Sequence, residues 1–198
     1  MRAAVVKKVG GPEAVEIVEV PLPEPGPFQV RIKVAAAALN PADAAVWAGV
    51  FGPLEGMEHA GLGLDAAGTI DAVGLGVLLE VGTPVIAFDS GALRPTKAQA
   101  EYLVVPLNSI AAAPEGMDLT LTATIPLNAM TAAQALDQLP LRPRDTLLVT
   151  GAGGAVGGCR GVGQNAGCAG CRAGAARGRG VPPRLWRHLV RLAPGGAE

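Results

Sequence analysis

Residues 145–158 read Asp-Thr-Leu-Leu-Val-Thr-Gly-Ala-Gly-Gly-Ala-Val-Gly-Gly. The apolar run that ends at Thr150 predicts a buried strand of a parallel sheet. After it, Ala152, Gly154 and Gly157 have the spacing of a dinucleotide-binding fingerprint, with alanine in the first place. Small residues there permit a tight turn, close approach of the backbone to a pyrophosphate, and close packing of a helix on the strand. The stretch therefore predicts the start of an α/β cofactor domain; the alternative is an ordinary loop in a chain with 28 glycines.

The residues upstream of this stretch predict a series of short strands. Val30, Ile32 and Val34 alternate with Arg31 and Lys33, which is the period of a half-buried strand. Further short apolar runs between turn residues cover 15–20, 68–74, 84–88 and 101–105. Strands at this spacing predict a small β-barrel or sandwich. A helix is then predicted from Ala129 to Leu139, ending at Pro140.

The net charge of −1 hides two unlike parts of the chain. Residues 1–158 hold 9 basic and 16 acidic residues, a net charge of −7. Residues 159–198 hold 7 arginines and one acid, a net charge of +6, together with all three cysteines (Cys159, Cys168 and Cys171). Because the main body has no cysteine, a disulfide framework and a thiolate metal site are excluded there.

Targeting and membrane segments are not indicated by the sequence. The chain does not open with a basic segment followed by an apolar one, as a secretory signal would. The longest uncharged run, 119–136, contains Thr, Asn, Gln and Pro, whereas a bilayer span needs about 20 mainly apolar residues. We therefore expect a cytoplasmic location and no membrane partner.

Five motifs in a fixed order carry a resemblance to a known family. They are Ala38-Leu39-Asn40-Pro41-Ala42-Asp43, Gly63-Leu64-Asp65-Ala66-Ala67-Gly68, Ala100-Glu101-Tyr102, Met130-Thr131-Ala132 and the run from Val149 to Gly157. Over residues 1–158 the chain resembles the medium-chain dehydrogenase/reductases, in particular their zinc-free, NADP(H)-dependent quinone oxidoreductase branch. The resemblance implies a GroES-like β-barrel over 1–120, the start of a Rossmann domain over 121–158, and an active-site cleft between them.

The resemblance also implies where the chemistry lies. Zinc-dependent relatives would have a cysteine at Asn40 and a His-Glu pair at Leu64-Asp65, so no zinc is expected here. Hydride would pass from NADPH to a quinone or an activated C=C bond of a small molecule, with the cofactor supplying the reactivity. Asn40 and Asp43 would line the cleft as the catalytic pair, and Thr131 would lie near the nicotinamide.

The predicted site also includes the glycine turn that would bind the cofactor. Its residues are Ala152, Gly153, Gly154, Ala155, Val156 and Gly157.

For three of the site residues, a structural role is an open alternative. Asn40 before Pro41 is a common turn starter, Asp43 could cap a helix, and Thr131 could begin one.

Residues 159–198 do not continue the predicted domain. Seven glycines lie between Gly161 and Gly180, and at about 1 kcal/mol each relative to alanine they oppose the helix that the fingerprint should open. The acid expected about 20 residues after the glycines is missing before Glu198, although Arg177 and Arg179 are present. We predict a disordered Arg/Gly/Cys-rich tail, no later strands, and a second domain that is truncated after its first βα turn. The part through which the family commonly forms homodimers would then also be missing.

A frameshift near the codon of Gly158 is our hypothesis for this tail. Shifting the frame of the codons for 158–172 by one base permits an amphipathic helix, a glycine stop and the start of an apolar strand. A Rossmann domain requires these elements next. Sequencing the underlying DNA is the test: we expect the shifted frame to stay open, and an early stop codon in it would contradict the hypothesis.

Whether this chain is itself an enzyme stays open, because the sequence motifs account for only the start of a cofactor domain. The main alternative is a non-catalytic β-barrel interaction module with an Arg/Gly-rich tail. A split enzyme, with its other half supplied by a neighbouring gene, is a further reading. Zinc binding by the three cysteines and His188 is disfavoured because their spacing contains a single CxxC pair. RNA binding by 177–180 is disfavoured because only Trp186 supplies a nearby aromatic ring, so no nucleic-acid partner is expected.

Overall fold

The computed structural model describes residues 1–52, 54, 56–91, 93–140, 146–150 and 170–174. The chain divides into two compact units, residues 1–126 and 127–198. The division lies six residues after the domain boundary predicted at 120/121.

The first unit is built on two antiparallel sheets. Its strands are β1 (Arg2–Val6), β2 (Val15–Glu19), β3 (Gln29–Ala37), β4 (Ala60–Gly61), β5 (Asp65–Val73), β6 (Pro84–Phe88), β7 (Tyr102–Pro106) and β8 (Ile110–Ala112). Five of them form one sheet in the order β7-β3-β5-β6-β8, and the other three form a sheet in the order β2-β1-β4. The strands predicted over 15–20, 30–34, 68–74, 84–88 and 101–105 are confirmed, with their ends moved by up to three residues.

Strand β1 was not anticipated by the sequence patterns. Arg2–Val6 contains no polar residue after Arg2, so it lacks the alternation that marked the other strands. It lies in the middle of its sheet, paired with β2 on one side and β4 on the other. Val5 and Val6 are both completely buried there, because a central strand covered on both faces needs no polar side.

The core of the first unit lies on one face of the five-stranded sheet. Val30 and Ile32 of β3 are fully buried, while Lys33, the next residue along the strand, is exposed, as the alternation predicted. Leu103 and Val105 of β7 pair beside them in antiparallel register. The buried residues of this cluster are Val30, Ile32, Ala66, Ile70, Val85, Ala87, Ala98, Leu103 and Val105.

Three α-helices are described: α1 (Pro41–Trp47), α2 (Leu119–Thr122) and α3 (Ile125–Asp137); Pro12–Ala14 and Leu107–Ser109 each form a short 3-10 helix. Helix α3 confirms the helix predicted over 129–139 but begins four residues earlier, at Ile125. Pro126 is tolerated there because proline at the first helical positions removes an N–H that would lack a partner in any case.

The second unit contains β9 (Thr146–Thr150) and β10 (Gly170–Gly174), which pair in parallel. Strand β9 confirms the strand predicted before the glycine turn. Strand β10 corrects the sequence prediction. That prediction was that no strand follows the turn and that residues 159–198 are disordered. Composition did not indicate this strand, because strand pairing joins main-chain N–H and C=O groups of a distant segment, whatever the side chain. The rest of 159–198 lies outside the described residues.

Candidate functional site

Asp43 is a buried carboxylate that holds two segments of the first unit together. It lies in the first turn of α1 and is 1% exposed. One carboxylate oxygen, Oδ2, accepts a hydrogen bond of 2.7 Å from the backbone N–H of Asn40, which caps the helix. The other, Oδ1, accepts one of 2.8 Å from the backbone N–H of Gly63. The helix-capping alternative for Asp43 is therefore realised, and the same group also reaches the segment after β4.

Asn40 connects α1 to the start of β5. Its backbone is extended, with φ −125° and ψ 155°, which is the conformation that a following proline favours. Its side-chain amide Nδ2 donates to Oδ2 of Asp65 over 3.1 Å, and Asp65 is completely buried. The two motifs that carried the family resemblance, around Asn40 and around Asp65, thus meet in space.

Two glycines bring the segment 94–99 against β4. A side chain on Gly61 would place a Cβ 2.5 Å from the backbone nitrogen of Lys97. One on Gly63 would lie 2.6 Å from the backbone nitrogen of Gln99, and Gly63 also has φ +97°, which glycine alone adopts without strain. Gly61 N–H donates to the carbonyl of Arg94, and Gln99 N–H to that of Leu62. These close approaches position Lys97 near Asp43.

A cavity of about 370 Å³ lies beside these residues, within the size range of small-molecule sites. Its polar lining residues are Asp43, Ser90 and Lys97. Its apolar walls come mainly from Val46, Phe51, Leu64 and Leu93. An apolar cavity with a few converging polar groups is the usual form of a ligand site.

A buried charge cluster borders this cavity, and sequence reasoning missed it. Asp89 is 3% exposed, and its carboxylate pairs with the guanidinium of Arg94 and lies 3.7 Å from Nζ of Lys97. Lys97 is 5% exposed, and Nζ donates to the carbonyl oxygens of Asp89 (3.2 Å) and Gly91 (2.8 Å). Burial lowers the pKa of Lys97, Arg94 lowers it further, and Asp89 and Asp43 oppose that shift. No local motif marked these residues, because each is an ordinary loop residue in the sequence.

The remaining predicted residues lie in the second unit or outside the described residues. Thr131 lies inside α3, half-buried, and does not begin the helix. The six residues of the turn (Ala152, Gly153, Gly154, Ala155, Val156 and Gly157) lie outside the described residues. In the part of the chain that the structure describes, no group of three or more His, Cys, Asp or Glu residues could hold a metal ion. Among those same residues, no helix has the length and apolar character to cross a membrane.

Comparison with known proteins matches the first unit to one domain family. Residues 26–115 match the alcohol dehydrogenase GroES-like domain. The chain is 35% identical over 156 residues to the chloroplastic quinone-oxidoreductase homolog of Spinacia oleracea, covering 75% of this chain and 47% of that protein. It is 35% identical over 150 residues to a quinone oxidoreductase of Pseudomonas aeruginosa, covering 75% of this chain and 44% of that protein.

A solved structure of similar fold extends the comparison. A mycobacterial protein in complex with NADPH superposes with a TM-score of 0.72 at 27% identity, covering 89% of this chain and 54% of the other. The predicted fold class, a GroES-like β-barrel followed by the start of a Rossmann domain, is confirmed, with the barrel present as a curled antiparallel sheet. The chain spans about half the length of the proteins that it matches.

Proposed function

We propose that this chain, which belongs to the medium-chain dehydrogenase/reductase superfamily and is homologous to its quinone oxidoreductases, carries the substrate side of an NADP(H)-dependent, zinc-independent reductase. The substrate would be a small molecule with a quinone ring or an activated C=C bond. The single observation that carries the proposal is the Asn40–Asp43–Asp65 arrangement beside an apolar cavity.

Asn40 is the residue that we assign to substrate orientation. In zinc-dependent relatives a cysteine would stand in its place, and a His-Glu pair would stand at Leu64-Asp65. Here Asp65 accepts from the Asn40 amide over 3.1 Å, which fixes the orientation of the amide. Leu64 contributes an apolar wall to the cavity instead of an imidazole. The chemistry of this donor set suits orientation of a substrate and not coordination of a metal ion.

Asp43 is a positioning group in this proposal. Both of its carboxylate oxygens accept backbone N–H groups, so it ties Asn40 to Gly63, and Gly63 lies on the cavity wall. Phe51 and Leu93 supply apolar surface to the wall of the same cavity.

NADPH, when bound, would supply the hydride. By the family resemblance, Thr131 and residues 152–157 would hold it. The described strand β9 fits this assignment, because it ends at Thr150 directly before the glycine turn and pairs in parallel with β10. The helix that should follow the turn is opposed by the glycines between Gly161 and Gly180.

We therefore expect the 198-residue chain to bind NADPH weakly and to show no turnover. A titration followed by NADPH fluorescence should give no saturation in the micromolar range, and oxidation of NADPH with a quinone should stay at background. The mycobacterial protein whose structure was solved in complex with NADPH, titrated in the same buffer, serves as the positive control. Micromolar binding by the purified chain would contradict this prediction while leaving the assignment of the substrate side intact.

A further inference from the structure

The two carboxylates near Lys97 do not depend on its positive charge. Asp89, whose carboxylate lies 3.7 Å from Nζ of Lys97, is also paired with the guanidinium of Arg94. Asp43, on the cavity lining with Lys97, accepts a backbone N–H group on each of its carboxylate oxygens. Both carboxylates therefore keep partners when Lys97 is a neutral amine, and the cost of holding a buried ammonium is then removed.

The hydrogen bonds of Lys97 suit a neutral amine as well as an ammonium. Nζ donates to the carbonyl oxygen of Asp89 over 3.2 Å and to that of Gly91 over 2.8 Å. A neutral amine has two N–H groups, so these two acceptors use both of them and the nitrogen keeps its lone pair. The Asp89 carboxylate, at 3.7 Å, lies beyond hydrogen-bond distance.

The surroundings of Lys97 favour this neutral amine. Lys97 is 5% exposed, and burial is the largest cause that lowers its pKa. The nearby Arg94 lowers the pKa further, while Asp89 and Asp43 act in the opposite direction without cancelling the shift. A desolvated lysine beside a second cation is an arrangement that makes the ε-amine a nucleophile near neutral pH.

The cavity gives a small molecule access to this amine. Lys97 lies on its lining together with Phe51 and Gly91, which are exposed, so the cavity opens to solvent. Val46 and Leu93 supply apolar surface to the same wall. A ligand that suits both features has a hydrocarbon part and a carbon atom that an amine attacks.

We propose that Lys97 is a covalent binding site for small apolar aldehydes, which it holds in the cavity as a Schiff base. Nζ forms a bond to the carbonyl carbon, and the carbonyl oxygen takes up the proton that the nitrogen loses. Water then leaves and a C=N bond remains, so the step consumes neither an oxidant nor a reductant. The hydrocarbon part of the aldehyde packs on the apolar wall. This inference goes beyond the proposed function, since it involves no hydride transfer.

The test treats the full chain, without NADPH, with butanal and sodium cyanoborohydride at neutral pH. The cyanoborohydride reduces each C=N bond to a stable amine, and peptide mass spectrometry then measures butylation at each lysine. We expect Lys97 to be butylated at least about tenfold faster than the exposed Lys33, because the neutral fraction of an amine rises about tenfold for each unit by which its pKa falls. Equal or slower butylation of Lys97 would overturn the proposal.

A charged aldehyde tests the part that the cavity plays. Glyoxylate is a small aldehyde that carries a carboxylate, so it loses free energy where butanal gains it on an apolar wall. The ratio of butanal labelling to glyoxylate labelling should be at least about tenfold higher at Lys97 than at Lys33. Equal ratios at the two lysines would show that the apolar wall takes no part, and the proposed site would then be wrong.

Arg94→Gln tests the charge argument. Without the guanidinium, Lys97 becomes the cation that Asp89 pairs with, so the amine stays protonated and its butylation should slow by at least about tenfold. Arg2→Gln is the matched control, because Arg2 pairs with Glu101 instead, and it should leave the rate at Lys97 unchanged. An unchanged rate in Arg94→Gln would contradict the proposal. If that variant does not fold, the comparison of Lys97 with Lys33 in the unmodified chain still decides.

Discussion

Replacing Asp43 by alanine should lower the free energy of unfolding by about 2–4 kcal/mol, since one buried N–H group loses its acceptor at about 1–3 kcal/mol and a part-buried one loses it at a lower cost. These groups are the backbone N–H of Asn40, in the same helix turn, and that of Gly63, which lies 20 residues after Asp43. Asp43 is only 1% exposed, so the substitution removes a buried acceptor and not a solvated one. Urea unfolding followed by circular dichroism measures the loss.

Asp118→Ala is the matched control for this change. Asp118 caps α2 and accepts from Thr120 N–H, as Asp43 does for its own helix, but it is exposed and reaches no second segment. If Asp43 acted only as a helix cap, the two substitutions would cost the same. We expect a clearly larger loss at position 43, and an equal loss would show that the bond to Gly63 adds nothing.

Replacing Gly68 by alanine should destabilise the first unit by at least about 3 kcal/mol, at the upper end of what overpacking costs. Gly68 lies in β5 between β3 and β6, paired with Val34 and Val85. An added Cβ would lie 2.1 Å from the carbonyl oxygen of Lys33, which is a backbone atom that cannot rotate away. Relief would require β3 and β5 to separate, so the soluble yield and the urea midpoint should both fall.

Gly82→Ala separates this collision from backbone strain. Gly82 has φ +93°, but no atom lies within 4 Å of the Cβ that alanine would add. Gly82→Ala should therefore lower the free energy of unfolding only by the backbone strain of an alanine with positive φ, about 1 kcal/mol. Gly68 has no such φ, so its loss reports the close approach of the strands. Losses of similar size at the two positions would contradict the steric argument.

The motifs located part of the candidate site, and the structure supplied the contacts between them. Asn40, Asp43 and Asp65 were all within motifs that carried the family resemblance. The hydrogen bonds of Asn40 to Asp65 and of Asp43 to Gly63 join residues 25 and 20 positions apart, so no spacing rule predicts them. The catalytic role of Asn40 and Asp43 and the cofactor role of Thr131 stay predictions.

Lys97 shows why the rest of the site could not be anticipated. A lysine in a loop is usually solvated, and nothing in the sequence around it indicates burial. Its position follows from Gly61 and Gly63, which let the chain at 94–99 approach β4 more closely than any side chain would allow. The same approach brings Asp89 and Arg94 to it.

The sequence by itself determined the strands with alternating side chains, the helix before Pro140, and the strand that leads into the glycine turn, because each depends on a short-range period or on local backbone preference. It also predicted a tail without strands, and β10 corrects that prediction because strand pairing depends on a neighbouring backbone and not on side-chain composition. Only the tertiary structure decided that Asp43 and Lys97 line one cavity and that Asp89 lies beside Lys97. Burial and charge pairing are properties of residues that are distant in sequence, and they arise when the sheets close on one another.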